Sequence, residues 1–552
     1  MLDTDRPWLR KDTIYSLVNN GLLISNASTS FEISGTHAYT VFQKVAPLLD
    51  GQLTVGEIRN ALPDKVWNLI LGIIAPLADH GFLRWIPSSD VDTLSEKTRI
   101  EFADQISFLA QYTNEPHQAF RAFHEASITL VGKDDQIIDS LARNLCENGA
   151  QSVTITEHVN QSIVTDLIIL GPTGINSLNT LSEFKIPILV ICPAAHYLWA
   201  LPVKWQPNDY TWRAGNNSLH TGSLSLEWDR SFNQAQRGEI VWDYATSSVA
   251  VQRLFGALLA YEVFKGITKA ITPETGQHVF ALNCLTGETS IHAVTPFFED
   301  VSLALQCNFG QKQDIGRPWQ AAQATNDLTF TLDDSQASEY DAIWAPLVDG
   351  ITTPVHSFID EEFSQIPIKV SAVTTSVGTI NAASAWTTAD ARIEAIAQAY
   401  SLALTLQMNT NNVSVVIGVG RNDRSAVRRA LTILLESFPS IPGKPSELNV
   451  QGKLGLFIKD VANESLILEK LPSIQGFHVA RANMSGTTTI GLGATIAEAQ
   501  ARASLELFGK LQTKATQNPR ITPISILSGE FPAQRIRIID LPENWHIALL
   551  WI

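Results

Sequence analysis

The stretch from Ile128 to His158 constrains the fold of this chain more than any other. It begins with the apolar run ITLVG, passes through the charged residues KDD, and then places apolar residues at helical spacing before a second apolar run, Val153 to Ile155. This order predicts a strand, a helix and a second strand. Two such strands lie parallel in one sheet with the helix as their crossover, so the central part of the chain is predicted to be α/β.

The turn after the first strand argues against a nucleotide site. Dinucleotide-binding units of this kind have three glycines in this turn, which let the backbone approach phosphate, and a carboxylate such as Glu157 after the second strand. After Gly132 this chain has Lys133, Asp134 and Asp135. The two carboxylates would repel phosphate, and Lys133 is predicted to be a solvated loop residue. The strand–helix–strand unit is therefore expected to fold as in dinucleotide-binding proteins but not to bind phosphate.

Charge and composition exclude several classes of function. A net charge of -16 without any run of Lys and Arg argues against a nucleic-acid partner, which needs a basic face. No apolar run approaches the ~18 residues of a membrane span, and the N-terminus has no secretory signal, so a cytoplasmic protein is expected. The cysteines are far apart, so they predict reduced, mostly buried thiols and no zinc site: Cys146, Cys192, Cys284 and Cys307.

Residues 1–88 have the pattern of a small helical domain with a β-hairpin. GLLISNASTSFEIS contains two alternating runs around a polar turn, and three helical segments follow before a final strand, FLRWI. Thr54 with Glu57 forms a capping box for the second helix, and the third begins at Asp64. These are the parts of a winged helix-turn-helix. The third helix has an apolar stripe that is predicted to face the core: Val66, Leu69, Ile70, Ile73, Ile74 and Leu77.

A winged helix-turn-helix binds either DNA or peptide. Residues 1–88 contain seven basic and eight acidic residues, and Lys65 is the one basic residue of the third helix. A DNA-binding function is therefore not expected, because a recognition helix for DNA is basic. The segment resembles the recognition element at the front of enzymes that modify ribosomally made peptides. The resemblance implies that a leader peptide adds as a strand beside the wing and lies against the third helix. The implied peptide-binding residues are Ser30, Phe31, Glu32, Ile33, Ser34, Lys65, Trp67, Ile70 and Ile73; taken singly, the apolar ones are more typical of core positions.

The region from about residue 126 to 300 continues the α/β pattern. Buried-strand runs DLIILGP and IPILVICP, a long helix and a hairpin around Thr286-Gly287 follow the first unit. Their order resembles the ThiF-like adenylating fold, whose members activate a C-terminal carboxylate and usually hold zinc with two Cys-x-x-Cys pairs. Neither pair is present, around residues 208–213 or 292–300. An active adenylation site is therefore not expected.

The last part of the chain contains an internal repeat. Residues 417–438 and 490–511 each have a strand ending in Gly-x-Gly, a short turn and an amphipathic helix, and residues 384–404 are a looser copy. With APLVDGI, these units resemble the YcaO family, whose members use ATP to activate a backbone amide so that Cys, Ser or Thr side chains cyclise to azolines. Magnesium there is held by helix carboxylates. The sparse carboxylates of this chain are predicted to lie on solvated helix faces, without nucleotide: Glu394, Glu436, Glu498 and Glu506.

The predicted architecture is α/β with three domains: a winged-helix leader-recognition element (1–88), a ThiF-like Rossmann-type domain with a parallel sheet (89–300) and a degenerate α+β YcaO-like domain (301–552). This order resembles the partner (F-type, ocin-ThiF-like) proteins of azole-forming cyclodehydratases. The resemblance implies a cytoplasmic, non-catalytic subunit that binds the leader of a precursor peptide and presents it to a YcaO cyclodehydratase, which forms thiazoline and oxazoline rings. ATP and magnesium are expected on that partner, and a homodimer is left open. The alternatives are a stand-alone ATP-dependent ThiF-like enzyme and a DNA-binding regulator.

Overall fold

The computed structural model describes residues 2–19, 21–26, 29–132, 135–159, 164–181, 186–207, 209–239, 248–294, 317–318, 345–366, 368–375, 378–384, 387–409, 415–420, 422–436, 441–462, 465–513, 535–541 and 545–551. Lys133, Asp134 and Cys307 lie outside these ranges, so the predictions for them stay predictions. The chain forms two compact units, Met1–Trp212 with Ser231–Ser290 and Arg213–Arg230 with Ile291–Ile552. None of the helices in the described ranges is both long and apolar enough to cross a membrane.

Two small sheets and three helices form the start of the first unit. One sheet has two antiparallel strands, β1 and β5, and the other has the order β2-β3-β4. The elements in chain order are β1 (Asp5–Leu9), β2 (Ile14–Val18), β3 (Gly21–Ser25), β4 (Ser30–Ser34), α1 (Ala38–Val45), α2 (Val55–Asn60), α3 (Asp64–Asp79) and β5 (Leu83–Pro87).

Most local predictions for this segment are confirmed, and one is wrong. β3 and β4 pair as the predicted hairpin, and Thr54 and Glu57 form the reciprocal capping box of α2. The apolar stripe of α3 is narrower than predicted, because Val66 is 39% and Leu69 63% exposed. The final strand is present as β5, and it pairs with β1, a strand that was not predicted. β2 was not predicted, since its residues, IYSLV, face solvent on both sides and show no alternation of apolar and polar residues.

Four short helices connect this segment to the central sheet. They are α4 (Ser88–Val91), α5 (Glu96–Glu101), α6 (Ala103–Leu109) and α7 (Pro116–Glu125). The buried Asp90 carboxylate accepts hydrogen bonds from the backbone N–H groups of His117 and Gln118, at 3.0 and 2.8 Å. It thereby satisfies two N–H groups that the first turn of α7 leaves without helical partners.

The central sheet has seven strands in the order β12-β11-β10-β9-β8-β6-β7. Strands β7, β6, β8 and β9 run parallel, whereas β10 is antiparallel to both β9 and β11. The elements of this region are β6 (Ser127–Val131), α8 (Gln136–Glu147), β7 (Ser152–Thr156), β8 (Leu167–Leu170), α9 (Leu178–Leu181), β9 (Ile188–Ala194), β10 (Tyr197–Ala200), α10 (Trp212–Leu219), α11 (Ser225–Gln236), α12 (Val249–Thr268), β11 (His278–Asn283) and β12 (Thr289–Ala293).

The predicted strand–helix–strand unit is therefore present as β6, α8 and β7. Its helix packs closely against α12, where a Cβ on Gly256 would lie only 2.6 Å from the carbonyl oxygen of Ile137. A larger residue would push the two helices apart. Phe255 and Leu259 of α12 join Leu141 of α8 in one buried apolar cluster, which holds this side of the sheet.

The second unit contains three separate sheets. Their strand orders are β14-β15-β16, β13-β22-β23-β17 and β18-β19-β20-β21. The elements are β13 (Arg317–Pro318), β14 (Val355–Phe358), β15 (Lys369–Thr375), β16 (Gly378–Ser384), α13 (Thr388–Asn409), β17 (Val415–Gly420), α14 (Asp423–Glu436), β18 (Lys444–Pro445), α15 (Gly452–Ala462), β19 (Ile467–Ile474), β20 (Phe477–Met484), β21 (Thr487–Gly493), α16 (Ile496–Thr513), β22 (Arg535–Leu541) and β23 (Trp545–Trp551).

The internal repeat is confirmed as three strand–helix units, β16–α13, β17–α14 and β21–α16. Their strands lie in three different sheets rather than in a common one. At the first position of each Gly-x-Gly motif, a residue larger than glycine would clash with the helix that follows. A Cβ on Gly418 would lie 2.0 Å from the Ala426 carbonyl oxygen, and one on Gly491 would lie 2.3 Å from that of Ala499. Each glycine lets its helix fold back directly onto its own strand.

Candidate functional site

The outer edge of β4 offers backbone groups for pairing with an added strand. Asn26 N–H donates to the Thr29 carbonyl at 3.0 Å, so this pair at the turn is a hydrogen-bonded one. Bonded and non-bonded pairs alternate along an antiparallel ladder. Following the register, Phe31 and Ile33 direct their backbone groups towards β3, whereas Ser30, Glu32 and Ser34 direct theirs outwards. Within the described ranges no strand pairs with this edge.

The side chains of β4 divide between two faces. Phe31 and Ile33 pack against the core that α1, α2 and α3 share with β3. The Phe31 ring stacks on His80, which follows α3, with centroids 4.3 Å apart, and it also contacts Phe82 at 5.3 Å. Ser30, Glu32 and Ser34 are exposed on the opposite face. An added strand at this edge would therefore lie beside the C-terminal end of α3.

The predicted contact residues of α3 lie mostly inside the core. Trp67, Ile70 and Ile73 are 8%, 3% and 5% exposed, and only Lys65 of that set faces solvent. The apolar side chains of α3 that do face solvent are Val66 and Leu69.

Val66 and Leu69 lie in the first two turns of α3. At 100° per residue, positions 66, 69, 73 and 80 fall on one stripe of the helix, and His80 on this stripe carries the Phe31 ring. At about 1.5 Å per residue, Leu69 and Val66 precede His80 by roughly 16 and 21 Å along the helix axis. The free edge of β4 and these exposed apolar residues of α3 are the two surfaces available to a peptide. We call this site, formed by Ser30–Ser34, Val66 and Leu69, the strand–helix groove.

The N-terminus of α8 is closed to phosphate by a side chain of the chain itself. Asp135 is 2% exposed, and its carboxylate accepts hydrogen bonds from the N–H groups of Ile137 and Ile138, at 2.9 and 3.4 Å. These are groups that an anion at a helix N-terminus would use. A Cβ on Gly171, after β8, would lie 3.0 Å from the same carboxylate, so the space between β6 and β8 is filled. Asp135 is thus a buried helix cap, not simply a repelling loop charge.

Replacing Asp135 with alanine is expected to destabilise the first unit. The change removes the acceptor of two helix N–H groups, which costs about 1 to 2 kcal/mol for an N-cap residue. Asp135→Asn, which keeps an oxygen acceptor, should cost less than half as much. Urea unfolding followed by circular dichroism would measure both values, and equal stability of wild type and Asp135→Ala would contradict the capping role.

A network of ion pairs, partly buried, joins α13, α14 and α16 in the second unit. Glu394 of α13 accepts hydrogen bonds from Arg429 and, at 3.2 Å, from Arg428. Glu498 of α16 is 1% exposed and accepts from Arg502 at 3.1 Å. The prediction of a solvated face is therefore wrong for Glu498, which is buried where an unpaired charge would be costly. Glu394 is partly exposed, at 30% of its side chain, and Glu436 is exposed as predicted.

The guanidinium groups determine the ionisation of Glu394. Burial alone would raise the pKa of its carboxyl, but Arg429, Arg428 and Arg502 together outweigh burial and hold that pKa below its usual value. Burial and the neighbouring Arg428 in turn lower the pKa of Arg502 to about 10, although Glu498 and Glu394 oppose this change. Both groups are charged near neutral pH, so the network consists of true ion pairs.

These carboxylates do not fit the role of magnesium ligands. Both oxygens of Glu394 already accept from arginine, and those of Glu498 accept from Arg502 and from the backbone N–H of Ala494 at 2.7 Å. Arg424 also lies 3.7 Å from Glu498. Four guanidinium groups around two carboxylates leave an excess of positive charge. A divalent cation would be repelled there and would have to displace buried ion pairs to find oxygen ligands.

Glu506 lies two turns after Glu498 on α16 and has the opposite character. Burial, together with the charges of Glu436 and Glu394, raises the pKa of its carboxyl to about 7, although Lys510 and Arg429 oppose this change. The Lys510 ammonium lies 4.0 Å from Glu506 and 3.5 Å from Glu436. Burial lowers the pKa of Lys510, but the two carboxylates outweigh burial and raise it overall.

Glu506 should make the stability of the second unit depend on pH. Because the folded-state pKa is raised, the folded protein binds this proton more tightly, and its contribution to stability falls as pH rises from the usual 4.5 to about 7. Glu506→Gln should remove this loss, on the order of 2 kcal/mol at pH 8. Urea unfolding at about pH 5 and pH 8 would measure it. A variant with the same pH profile as wild type would contradict the assignment.

The arginines of this network were not predicted from the sequence. RNDRSAVRRA places Arg424 and Arg428 one helical turn apart, with Arg429 next to them, and Arg502 follows Glu498 by four residues. The i, i+4 spacing of Glu498 and Arg502 is the signal that could have been found, since such residues face each other on a helix. The pairing of Glu394 with α14 brings together residues 34 and 35 positions apart, and no local pattern indicates it.

Two solved structures align with almost the entire chain. A heterocyclase in complex with substrate and cofactor has a TM-score of 0.52 and 12% identity over 99% of this chain and 94% of its own. The heterocyclase TruD has a TM-score of 0.50, with 12% identity and the same coverage. The chain shares the fold of these heterocyclases.

At 12% identity, the likeness to the two heterocyclases shows the fold and not the function. The crystal structure of E. coli MccB covers 53% of this chain and 95% of its own, and its TM-score of 0.36 at 10% identity is too low to support an argument. No protein-family model matches the sequence, and neither does any curated protein.

Proposed function

We propose that this chain binds the leader of a ribosomally made precursor peptide and presents the peptide to a separate YcaO cyclodehydratase. The observation that carries the first part is the strand–helix groove. It combines outward backbone groups of Ser30, Glu32 and Ser34 with the apolar side chains of Val66 and Leu69. A peptide strand that pairs with β4 would gain hydrogen bonds from its backbone and apolar contacts from alternate side chains.

The second part, presentation without catalysis, is supported by the ion-pair network. One of the heterocyclases that share the fold is described in complex with substrate and cofactor. In this chain Glu394 and Glu498 are neutralised by arginines, and Asp135 occupies the N-terminus of α8. Neither place suits a magnesium-bound nucleotide. On this proposal ATP and magnesium act on the partner enzyme, in the cytoplasm.

Calorimetric titration of the purified full chain tests the proposal directly. The search for a probe starts with the reading frames beside this chain's gene, among which a short peptide rich in Cys, Ser and Thr is the precursor to look for. Its leader half is the first titrant, and ATP with magnesium is the second. We expect the leader to bind with a Kd of about 1 µM and the titration with ATP and magnesium to show no heat of binding. Tight ATP binding without leader binding would instead favour a stand-alone ATP-dependent enzyme.

A further inference from the structure

The three strands of the β2-β3-β4 sheet contain a single acidic or basic side chain. Their sequences are IYSLV, GLLIS and SFEIS, and the one such residue is Glu32. Glu32 is exposed at the centre of β4, the strand whose outer edge is open. Within the described part of the chain its carboxylate makes neither a hydrogen bond nor an ion pair. This charge is therefore available to a strand that pairs with the edge.

Glu32 discriminates between incoming strands by their charge. In an antiparallel ladder, the residue directly opposite lies on the same face, where opposite charges stabilise the pairing and like charges destabilise it. Ser30 and Ser34 share the face of Glu32 and are uncharged. The position opposite Glu32 therefore decides which charge the edge accepts. Two copies that paired through β4 around this position would place two carboxylates opposite each other, so the edge also rejects itself.

The two positions beside the central one have an apolar environment. Phe31 and Ile33 direct their backbone groups towards β3, so the residues opposite them on an added strand form non-hydrogen-bonded pairs, in which side chains are closer. Both side chains pack against the core, and the Phe31 ring stacks on the exposed His80. Apolar side chains opposite Phe31 and Ile33 would bury this surface, whereas charged ones would lose hydration.

We propose that the leader presents to β4 three consecutive residues of the pattern apolar, basic, apolar, with the Lys or Arg opposite Glu32. The inference rests on the proposed pairing of the leader with β4, and it adds the sequence that this edge selects. The net charge of -16 also favours the approach of a basic segment. The pattern is a criterion for recognising the leader within a candidate precursor.

Selection of random peptides tests the pattern without a known leader. Phage that display random linear peptides would be selected on the immobilised full chain, on Glu32→Pro and on Glu32→Lys. Among the peptides that bind wild type and not Glu32→Pro, we expect enrichment of Lys or Arg between two apolar residues. On Glu32→Lys we expect Asp or Glu at the same central position, because the charge of the edge is reversed.

The outcomes of the selection separate this inference from the proposed function. Peptides that bind wild type and not Glu32→Pro, but show no preferred charge at the centre, would overturn the pattern and leave leader pairing in place. Peptides that bind wild type and Glu32→Pro equally would overturn both. Glu147→Lys is the matched control, since it makes the same change of charge at the exposed end of α8. A shift to acidic peptides on this variant too would overturn the role of Glu32.

Charge reversal on both partners measures the strength of the contact. For one selected peptide, Glu32→Lys should weaken binding by about three- to tenfold, because an attractive pair becomes a repulsive one. Replacing the central basic residue of the peptide with Glu should restore its affinity for Glu32→Lys and weaken its affinity for wild type. Fluorescence anisotropy would measure all four combinations, and circular dichroism would confirm that the Lys variant is folded. A loss that the second replacement does not restore would overturn the pairing of Glu32 with a basic residue.

Discussion

Replacing Glu32 with proline is expected to weaken binding of the leader peptide by about 10 to 100-fold. Glu32 is the central residue of β4 that directs its backbone N–H outwards, while its neighbours Phe31 and Ile33 bond to β3. Proline at this position removes one donor to the peptide and no bond of the β3–β4 ladder. The peptide carbonyl that loses its partner is left in a partly apolar groove, which costs about 1 to 3 kcal/mol.

Glu32→Ala is the matched control for this prediction. The Glu32 side chain lies on the face of β4 opposite Phe31, so its removal leaves both the backbone donor and the apolar groove in place. Fluorescence anisotropy with the labelled leader would measure both variants, and circular dichroism would confirm that the hairpin persists. Similar affinities for Glu32→Pro and Glu32→Ala would contradict pairing of the leader with this edge.

Leu69→Asp is expected to weaken leader binding by about tenfold through a different contact. Leu69 is 63% exposed on the side of α3 that carries His80, so the substitution should not disturb the core. It places a charge against the apolar side chains that the peptide would bury there. The measurement is the same anisotropy titration. Asn68→Asp adds the same charge at an exposed neighbour outside the stripe, and a loss of equal size in both variants would indicate a general charge effect.

The strand that forms the groove could be predicted from sequence, but the groove's lining could not. Alternation in STSFEIS places Phe31 and Ile33 on one face, and the structure has β4 at the predicted bounds, Ser30–Ser34. Which α3 residues face solvent depends on how the helix is rotated against β3 and β4. Periodicity gave a stripe wide enough to include both Ile70 and Leu69, and the packed core covers only the first.

The same limit explains the error in the C-terminal carboxylates. A glutamate on an amphipathic helix is typical of a solvated face unless a cation from another helix reaches it. Glu394 and Arg429 belong to different helices, and only the packing of α13 against α14 brings them together. The strand–turn–helix order of the repeat units is by contrast local, so the sequence pattern was sufficient to predict it.

Replacing Glu498 with glutamine is expected to destabilise the second unit by about 3 kcal/mol. The carboxylate is 1% exposed and pairs with Arg502 and Arg424. Removing one partner of a buried ion pair leaves the other charge buried without compensation, which costs about 3 to 5 kcal/mol, and the amide recovers a part as an acceptor for Ala494 N–H. Urea unfolding at pH 8 would measure the change in the free energy of unfolding.

Glu506→Gln is the control that distinguishes this network from a general effect of neutralising α16. It makes the same chemical change two turns further along the same helix, but the raised pKa of Glu506 shows that the folded protein disfavours its charge. At pH 8 we therefore expect Glu506→Gln to be at least as stable as wild type, whereas Glu498→Gln is much less stable. An equal loss of stability in both variants would contradict the view that Glu498 is stabilised by ion pairs and that the charge of Glu506 is disfavoured. The predicted pattern would show that the arginines stabilise the charge of Glu498, whereas the charge of Glu506 has no such compensation.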